Sequence, residues 1–216
     1  MFKKYLRVFS FALAGLLLSF GLAACSSPLQ PQSAQNSDAT SDNPELSSDE
    51  ADAKAVVDQF VSDLVNSDDE KAEQILGQSL SDVLNKAGIN PKELLSALFG
   101  HLDAKVTSVT IDGIEARCEL EFSNADLPQA FKNYASQINE WAATTDLTAL
   151  VNEGEDALPR EMIKILIENI NSGELETPTK NVTALLIQNP DGSWRLENTD
   201  ALEQAFLMGA NLSTLF

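Results

Sequence analysis

Residues 114–122, IEARCELEF, alternate strictly between apolar and charged side chains. Successive side chains of a strand point to opposite faces, so a period of two predicts a β-strand with one buried and one hydrated face. Residues 105–111 precede this strand across Asp112-Gly113, a two-residue sequence that is typical of tight hairpin turns. The centre of the chain therefore predicts an antiparallel hairpin.

A second hairpin is predicted near the C-terminus. Residues 182–188, VTALLIQ, form an apolar strand, residues 189–192, NPDG, form the turn, and residues 193–197 alternate again. Apolar stripes with a helical period surround both hairpins. We expect one α+β domain, in which an antiparallel sheet of about four strands carries helices packed on one face. The predicted helices cover residues 49–65, 68–77, 79–87, 91–102, 126–152 and 155–171, and a final helix is capped by Asp200.

The N-terminal residues have the layout of a signal peptide. Lys3, Lys4 and Arg7 form a positive segment, and 15 mostly apolar residues, 8–22, follow it. As a helix, that stretch is roughly 22 Å long, which is short of the ~30 Å hydrocarbon core of a bilayer. It therefore indicates an export signal rather than a stable membrane span.

Residues 22–25, Leu-Ala-Ala-Cys, resemble the lipobox of bacterial lipoproteins. The resemblance implies that the thiol of Cys25 receives a diacylglycerol and that cleavage after Ala24 leaves Cys25 as the new N-terminus. An ordinary signal peptide, cleaved at the same bond to leave a free Cys25, is the alternative. Because two acyl chains anchor a protein stably where one is marginal, we expect the chain at the cell membrane, lipid-anchored on the extracytoplasmic side.

The segment after the lipobox has a different composition from the rest of the chain. Residues 26–48, SSPLQPQSAQNSDATSDNPELSS, contain only two large apolar side chains. Such a segment cannot bury enough apolar surface to fold, so it predicts a flexible tether with a root-mean-square span of roughly 26 Å. The predicted organisation is a signal peptide over residues 1–24, a lipidated Cys25 with a disordered tether through residue 48, and a single α+β domain over residues 49–216.

The chain is strongly acidic. Its formal net charge of −19 becomes −22 once the three cations of the signal peptide are removed. Phosphate recognition needs Lys and Arg, so this acidity excludes nucleic-acid binding. It also repels the domain from an anionic lipid surface within a Debye length of ~8 Å. The expected partners are the membrane, through the lipid anchor, and another envelope protein or a basic peptide.

Reactive side chains are scarce in the predicted domain. His101 is the only histidine of the chain and lies at the end of a predicted helix, where an imidazole suits the helix dipole. Cys118 lies on the apolar side of its strand, where a thiol packs as a small hydrophobe. The glycines form no phosphate-binding pattern, and no serine lies in a G-x-S-x-G sequence. We therefore expect no catalytic residue, no metal and no cofactor.

Carboxylates are abundant, and each group has a structural interpretation. Residues 68–70, Asp-Asp-Glu, suit the first turn of a helix, and Asp191 lacks the ligand spacing of a calcium loop. Glu115, Glu119 and Glu121 are expected on the hydrated face of their strand. The alternative for these three glutamates is a docking face for a basic partner, such as a cationic peptide.

The second hairpin, residues 182–196 with Asp191-Gly192-Ser193-Trp194 at its turn, together with the lipobox, is similar to bacterial lipoproteins of the nuclear-transport-factor-two-like or cystatin-like type. The resemblance implies a curved sheet that wraps a long helix in a cone, in a family mostly without an assigned activity. In such a cone, we expect Trp141 and Trp194 to flank a pocket for a small ligand or peptide. The alternative is that these aromatic side chains fill the core. The candidate pocket residues are Phe131, Tyr134, Trp141 and Trp194.

These patterns favour a membrane-anchored, extracytoplasmic binding or interaction module that is not an enzyme. One alternative is a cell-envelope hydrolase that uses paired carboxylates. Another is a small solute-receptor lipoprotein that feeds a transporter, although that class usually has two lobes and a longer chain. A pocket with convergent polar groups would discriminate among the three.

Overall fold

The computed structural model describes residues 46–212, in which the chain forms eight α-helices and one four-stranded antiparallel sheet. This architecture confirms the predicted α+β class. The predicted signal peptide, Cys25 and nearly all of the predicted tether lie outside the described residues, as do residues 213–216. The elements in chain order are α1 (Ser48–Val65), α2 (Asp69–Leu76), α3 (Gln78–Lys86), α4 (Pro91–Phe99), β1 (Asp103–Asp112), β2 (Glu115–Ser123), α5 (Leu127–Thr144), α6 (Leu147–Glu153), α7 (Ala157–Asn171), β3 (Thr179–Gln188), β4 (Trp194–Leu196) and α8 (Thr199–Phe206).

The sheet has the strand order β1-β2-β3-β4, and every neighbouring pair of strands is antiparallel. Both predicted hairpins are confirmed. The central strand is β2, where Cys118 lies opposite Val109 of β1 and Ala184 of β3. Its even-numbered residues 116–122 are buried and its odd-numbered residues 115–121 are exposed, so the alternation in the sequence sets the two faces of the sheet.

The turn of the first hairpin lies one residue later than the sequence predicts. Asp112 and Glu115 close the ladder as a pair, which leaves Gly113 and Ile114 as the turn. Gly113 has φ 62°, which side chains rarely allow, so the glycine permits the tight connection. As a result, Ile114, predicted on the buried face of the strand, is 60% exposed.

Helices cover one face of the sheet, as predicted. α1 packs on β1, β2 and β4, while α8 packs on β3. α1 begins with a capping box, in which the backbone N of Glu50 donates to Ser47 Oγ (3.3 Å) and the backbone N of Ser47 donates to Glu50 Oε2 (2.8 Å). Ala53, Val57 and Leu64 on its buried side join the inner face of the sheet in one hydrophobic core.

Three helices, rather than the two predicted, connect the hairpins. The helix predicted over residues 126–152 is broken at Thr145, which is extended. The Asp146 carboxylate then caps α6 by accepting hydrogen bonds of 3.0 and 3.1 Å from two backbone N–H groups in its first turn. A capping aspartate offers the backbone an alternative to continuing the helix. Because apolar residues keep a helical spacing on both sides of Thr145, the sequence pattern does not reveal the break.

The last helix begins before its predicted cap. Asn198 rather than Asp200 is the N-cap of α8, and its side chain bonds the sheet instead of the helix. Its Oδ1 accepts from the backbone N of Leu185 (2.8 Å) and its Nδ2 donates to the carbonyl oxygen of Thr183 (2.9 Å). The side chain therefore pairs with the free edge of β3 beyond the short β4 and fixes the start of α8 against the sheet.

A fully buried asparagine joins the end of β2 to two helices. Asn124, just after β2, donates through Nδ2 to the carbonyl oxygens of Leu98 in α4 (2.9 Å) and Phe206 in α8 (2.8 Å). Its Oδ1 accepts from the backbone N of Ala125 (2.8 Å). These partners make the asparagine a polar junction inside an apolar core.

Candidate functional site

The four aromatic residues predicted to line a pocket lie in different surroundings. Tyr134 on α5 and Trp194 on β4 are buried members of the hydrophobic core, and Phe131 is half-buried against it. Trp141, in the last turn of α5, is half-buried and lies outside the core formed by residues 46–212. Burial raises the pKa of the Tyr134 hydroxyl to about 12, because the phenolate loses its hydration there.

Trp141 and Trp194 are held by elements with different packing partners. α5 packs on α7, whereas β4 pairs with β3 and packs on α1. The structure therefore brings Tyr134, Phe131 and Trp194 to one core and places Trp141 at its margin. A pocket flanked by the two indoles stays a prediction.

A shallow pocket of about 280 Å³ opens between α1 and the start of β1. Its lining combines apolar side chains, such as Val61 and Leu102, with the carboxylates of Asp58 and Asp103. Asp58 already has a partner, since Lys54, one helical turn earlier, forms an ion pair with it. The volume is at the small end for ligand sites, and the carboxylates would favour a small cation over an anion.

Cys118 and His101, the two side chains best suited to nucleophilic chemistry, lie in different environments. Cys118 is fully buried on the inner sheet face, where the sequence places it. Burial, together with the charge of Asp58, raises the pKa of its thiol to about 11, so the thiol is protonated at neutral pH. His101 is exposed just beyond the end of α4. The structure thus gives Cys118 the packing role that its strand position predicts.

Several of the carboxylates considered in the sequence have structural partners, Glu119 and Asp191 among them. The Glu119 carboxylate accepts hydrogen bonds of 2.9 and 3.0 Å from Thr183 Oγ1 on the neighbouring strand. Asp191 accepts from Oγ (2.7 Å) and the backbone N (3.0 Å) of Ser193, and these bonds lower the pKa of its carboxyl. Asp191 therefore holds the turn of the second hairpin.

Within residues 46–212, no group of three or more His, Cys, Asp or Glu side chains is placed to hold a metal ion. In the same part of the chain, no helix has both the length and the apolar character that are needed to cross a bilayer. The expectation that the domain has no resident metal or cofactor stays a prediction.

One carboxylate in α8 has an unusual electrostatic environment. Glu203 is half-buried, and burial, together with the nearby charge of Asp200, raises the pKa of its carboxyl to about 7 from an ordinary value of 4.5. A group whose pKa is higher in the folded chain binds more protons there than in the unfolded chain. The charged form of Glu203 therefore destabilises the folded chain relative to the unfolded chain.

We expect Glu203→Gln to stabilise the protein by about 2 kcal/mol at pH 8, because the amide removes a half-buried charge. In the parent chain, stability falls as the pH rises from about 4.5 to about 7. The difference between variant and parent should therefore vanish below pH 4.5. Urea unfolding across pH 4 to 8 measures this difference in the free energy of unfolding, and Glu174→Gln, at an exposed position, is the control. A difference that does not change with pH would contradict the raised pKa of Glu203.

Comparison with protein-family models and with curated protein sequences finds no match for this chain. Among solved structures, the chain is similar to the crystal structure of a candidate lipoprotein, ycdA, from Bacillus subtilis subsp. subtilis strain 168, with a TM-score of 0.49 and 13% sequence identity. The match covers 73% of this chain and 55% of that one, so the chain spans about half the length of its neighbour. A similarity at this level says nothing about ligand or activity.

One exposed apolar surface, on α6, was not predicted from the sequence. Leu147 and Val151 on α6 are 37% and 59% exposed, although the sequence places them within a long amphipathic helix. A signal was present, because residues 140–156 contain five carboxylates and neither Lys nor Arg. Unbalanced charge around apolar residues is typical of a surface that a partner covers.

Proposed function

We propose that this chain is an exported lipoprotein, held at the extracytoplasmic face of a membrane by lipid on Cys25, whose folded domain acts by binding rather than by catalysis. The observation that carries the proposal is the continuous order of residues 3–25: three cations, a short apolar run, and Leu-Ala-Ala-Cys. The first described helix begins at Ser48, and residues 26–47 separate it from Cys25 in the sequence.

Support for a binding role comes from where the reactive groups lie. The Cys118 thiol faces the core and has a pKa of about 11. The Asp191 carboxylate accepts hydrogen bonds from Ser193 within the turn of the second hairpin. The hydrolase alternative finds its best candidates in Asp58 and Asp103, which line the same pocket. Asp58 already forms an ion pair with Lys54, and Asp58 and Asp103 are the two carboxylates among the residues that line this pocket.

We expect Cys25→Ser to abolish lipid attachment completely, because the hydroxyl is a far weaker nucleophile than the thiol that accepts the diacylglycerol. The measurement is incorporation of an alkyne-labelled palmitate in a bacterial host, together with the distribution of the chain between membrane and soluble fractions. The variant should carry no label, and it should either accumulate unprocessed or leave the membrane.

The matched control is Cys118→Ala, which removes the other thiol of the chain and should retain full labelling. Equal labelling of the Cys25→Ser variant would overturn the proposed anchor. Label that is lost from Cys118→Ala but retained by Cys25→Ser would place the lipid on Cys118 and would also contradict the proposal.

A further inference from the structure

α6 carries an apolar stripe that residues 46–212 leave uncovered. No residue of α6 is buried. Leu147 and Val151 are spaced i, i+4, with Leu150 between them on the same side of the helix. Leu150 is half-buried, while Leu147 and Val151 are 37% and 59% exposed. We name these three residues the α6 face.

The hydrophobic core of the domain does not account for this stripe. On α5, the last side chain that packs against the core is Ile138, and Trp141 lies one turn beyond it. Within the described part of the chain, none of the α6 face belongs to that core. Apolar side chains held at a surface by a short helix are typical of interaction sites.

Carboxylates outnumber cations in the sequence around the α6 face. Residues 140–156 contain five carboxylates and no Lys or Arg. The next cation in the chain, Arg160, is already engaged, with ion pairs to Glu153 (3.4 Å) and Glu161 (3.2 Å). The five carboxylates, which we call the rim of the α6 face, keep a net negative charge when Arg160 is counted with them. Its carboxylates are Glu140, Asp146, Glu153, Glu155 and Asp156.

This charge decides among the possible occupants. An anionic bilayer is repelled by the rim, and so is a second copy of this chain, whose formal charge is −19. A basic segment with one apolar side satisfies both features, since apolar residues cover Leu147 and Val151 while cations approach the rim carboxylates.

We propose that the α6 face is the docking surface for a basic, amphipathic segment of a partner protein. A basic, amphipathic segment is then the class of partner that the binding module recognises. This inference rests on the proposed function. Trp141, half-buried in the last turn of α5, precedes Leu147 by six residues in the chain. The surface lies on the folded domain and does not depend on the lipid for its chemistry.

The test uses the full chain in an uncharged maltoside detergent, captured through a C-terminal tag. The probe is a synthetic 14-residue peptide, (LKKLLKL)₂, whose leucines and lysines segregate on a helix; a version with Glu in place of Lys is the charge control. Two double variants of matched exposure are compared with the parent chain. Leu147→Gln/Val151→Gln alters the α6 face, and Leu185→Gln/Ile114→Gln alters side chains that are 37% and 60% exposed on the sheet side.

The α6 double variant should bind the lysine peptide at least about tenfold more weakly, from the loss of two covered apolar side chains. The sheet-side double variant should bind like the parent chain, and the glutamate peptide should not bind. Glu140→Gln/Glu155→Gln should weaken binding and reduce its dependence on salt. Because all six residues are at least a third exposed, unchanged circular dichroism is expected for every variant.

Equal weakening by both apolar double variants, or loss confined to the sheet-side variant, would overturn the proposal. Absence of binding to the parent chain above the detergent reference would do the same. The two proposals fail separately. If Cys25→Ser still takes up lipid while the parent chain binds the lysine peptide through the α6 face, only the anchor is refuted.

Discussion

Asn124→Ala should lower the free energy of unfolding by about 4 kcal/mol. The change removes two bonds from the side-chain amide to carbonyl oxygens (2.8 and 2.9 Å) and one from a backbone N–H to the side-chain oxygen (2.8 Å). All three lie where water does not reach, since the side chain is fully buried. Each backbone group left unpaired costs about 1–3 kcal/mol, partly offset where the neighbours relax.

Guanidinium unfolding monitored by circular dichroism measures this loss, with Asn139→Ala as the matched control. Asn139 also donates to a backbone carbonyl (2.9 Å), but it is exposed on α5, where alanine favours the helix. The control should stay within about 0.5 kcal/mol of the parent chain. A loss below about 1 kcal/mol for Asn124→Ala would mean that the junction is not a major source of stability.

Phe206→Ala should cost a similar amount, about 4 kcal/mol, because it opens a cavity where three elements meet. The Phe206 ring is fully buried in α8 and lies edge-to-face with Phe122 of β2, with ring centroids 5.0 Å apart. Its centroid is 6.4 Å from that of Phe60 on α1. Removal of the ring therefore weakens the contact of both helices with the sheet.

The control for this prediction is Phe206→Leu, which keeps most of the volume and should cost roughly 1–2 kcal/mol. The same unfolding experiment ranks the two variants. An equal loss for alanine and leucine would show that ring geometry, rather than filled volume, dominates. Since Asn124 bonds the carbonyl of Phe206, the two alanine changes should be non-additive in a double-mutant cycle.

Residues 115–122 determine the central strand without help from the rest of the chain, whereas Ile114, which shares their alternation, lies in the turn. Alternation with period two requires opposite faces, and the structure buries residues 116, 118, 120 and 122 accordingly. The hairpin at Asp191-Gly192 follows from local turn chemistry in the same way. The α+β class follows from the order of these local patterns.

Tertiary structure decided the features whose partners are distant in the sequence. Asn124 bonds residues 26 and 82 positions away, and Asn198 reaches back 13 positions to β3. Nothing in the local composition of either asparagine indicates those partners. The raised pKa of Glu203 likewise depends on burial, which a single helical segment does not reveal.

The same distinction between local pattern and tertiary packing applies to the candidate functional sites. The sequence by itself predicts the export and lipidation signal that ends at Cys25, because a signal of this kind is a linear motif. It also determined which residues of the central strand are apolar. Only the tertiary structure decided that Trp194 is in the core and that Leu147 and Val151 are on the surface. The physical reason is that helical period shows which residues share a side of a helix, whereas burial depends on which other element packs against that side.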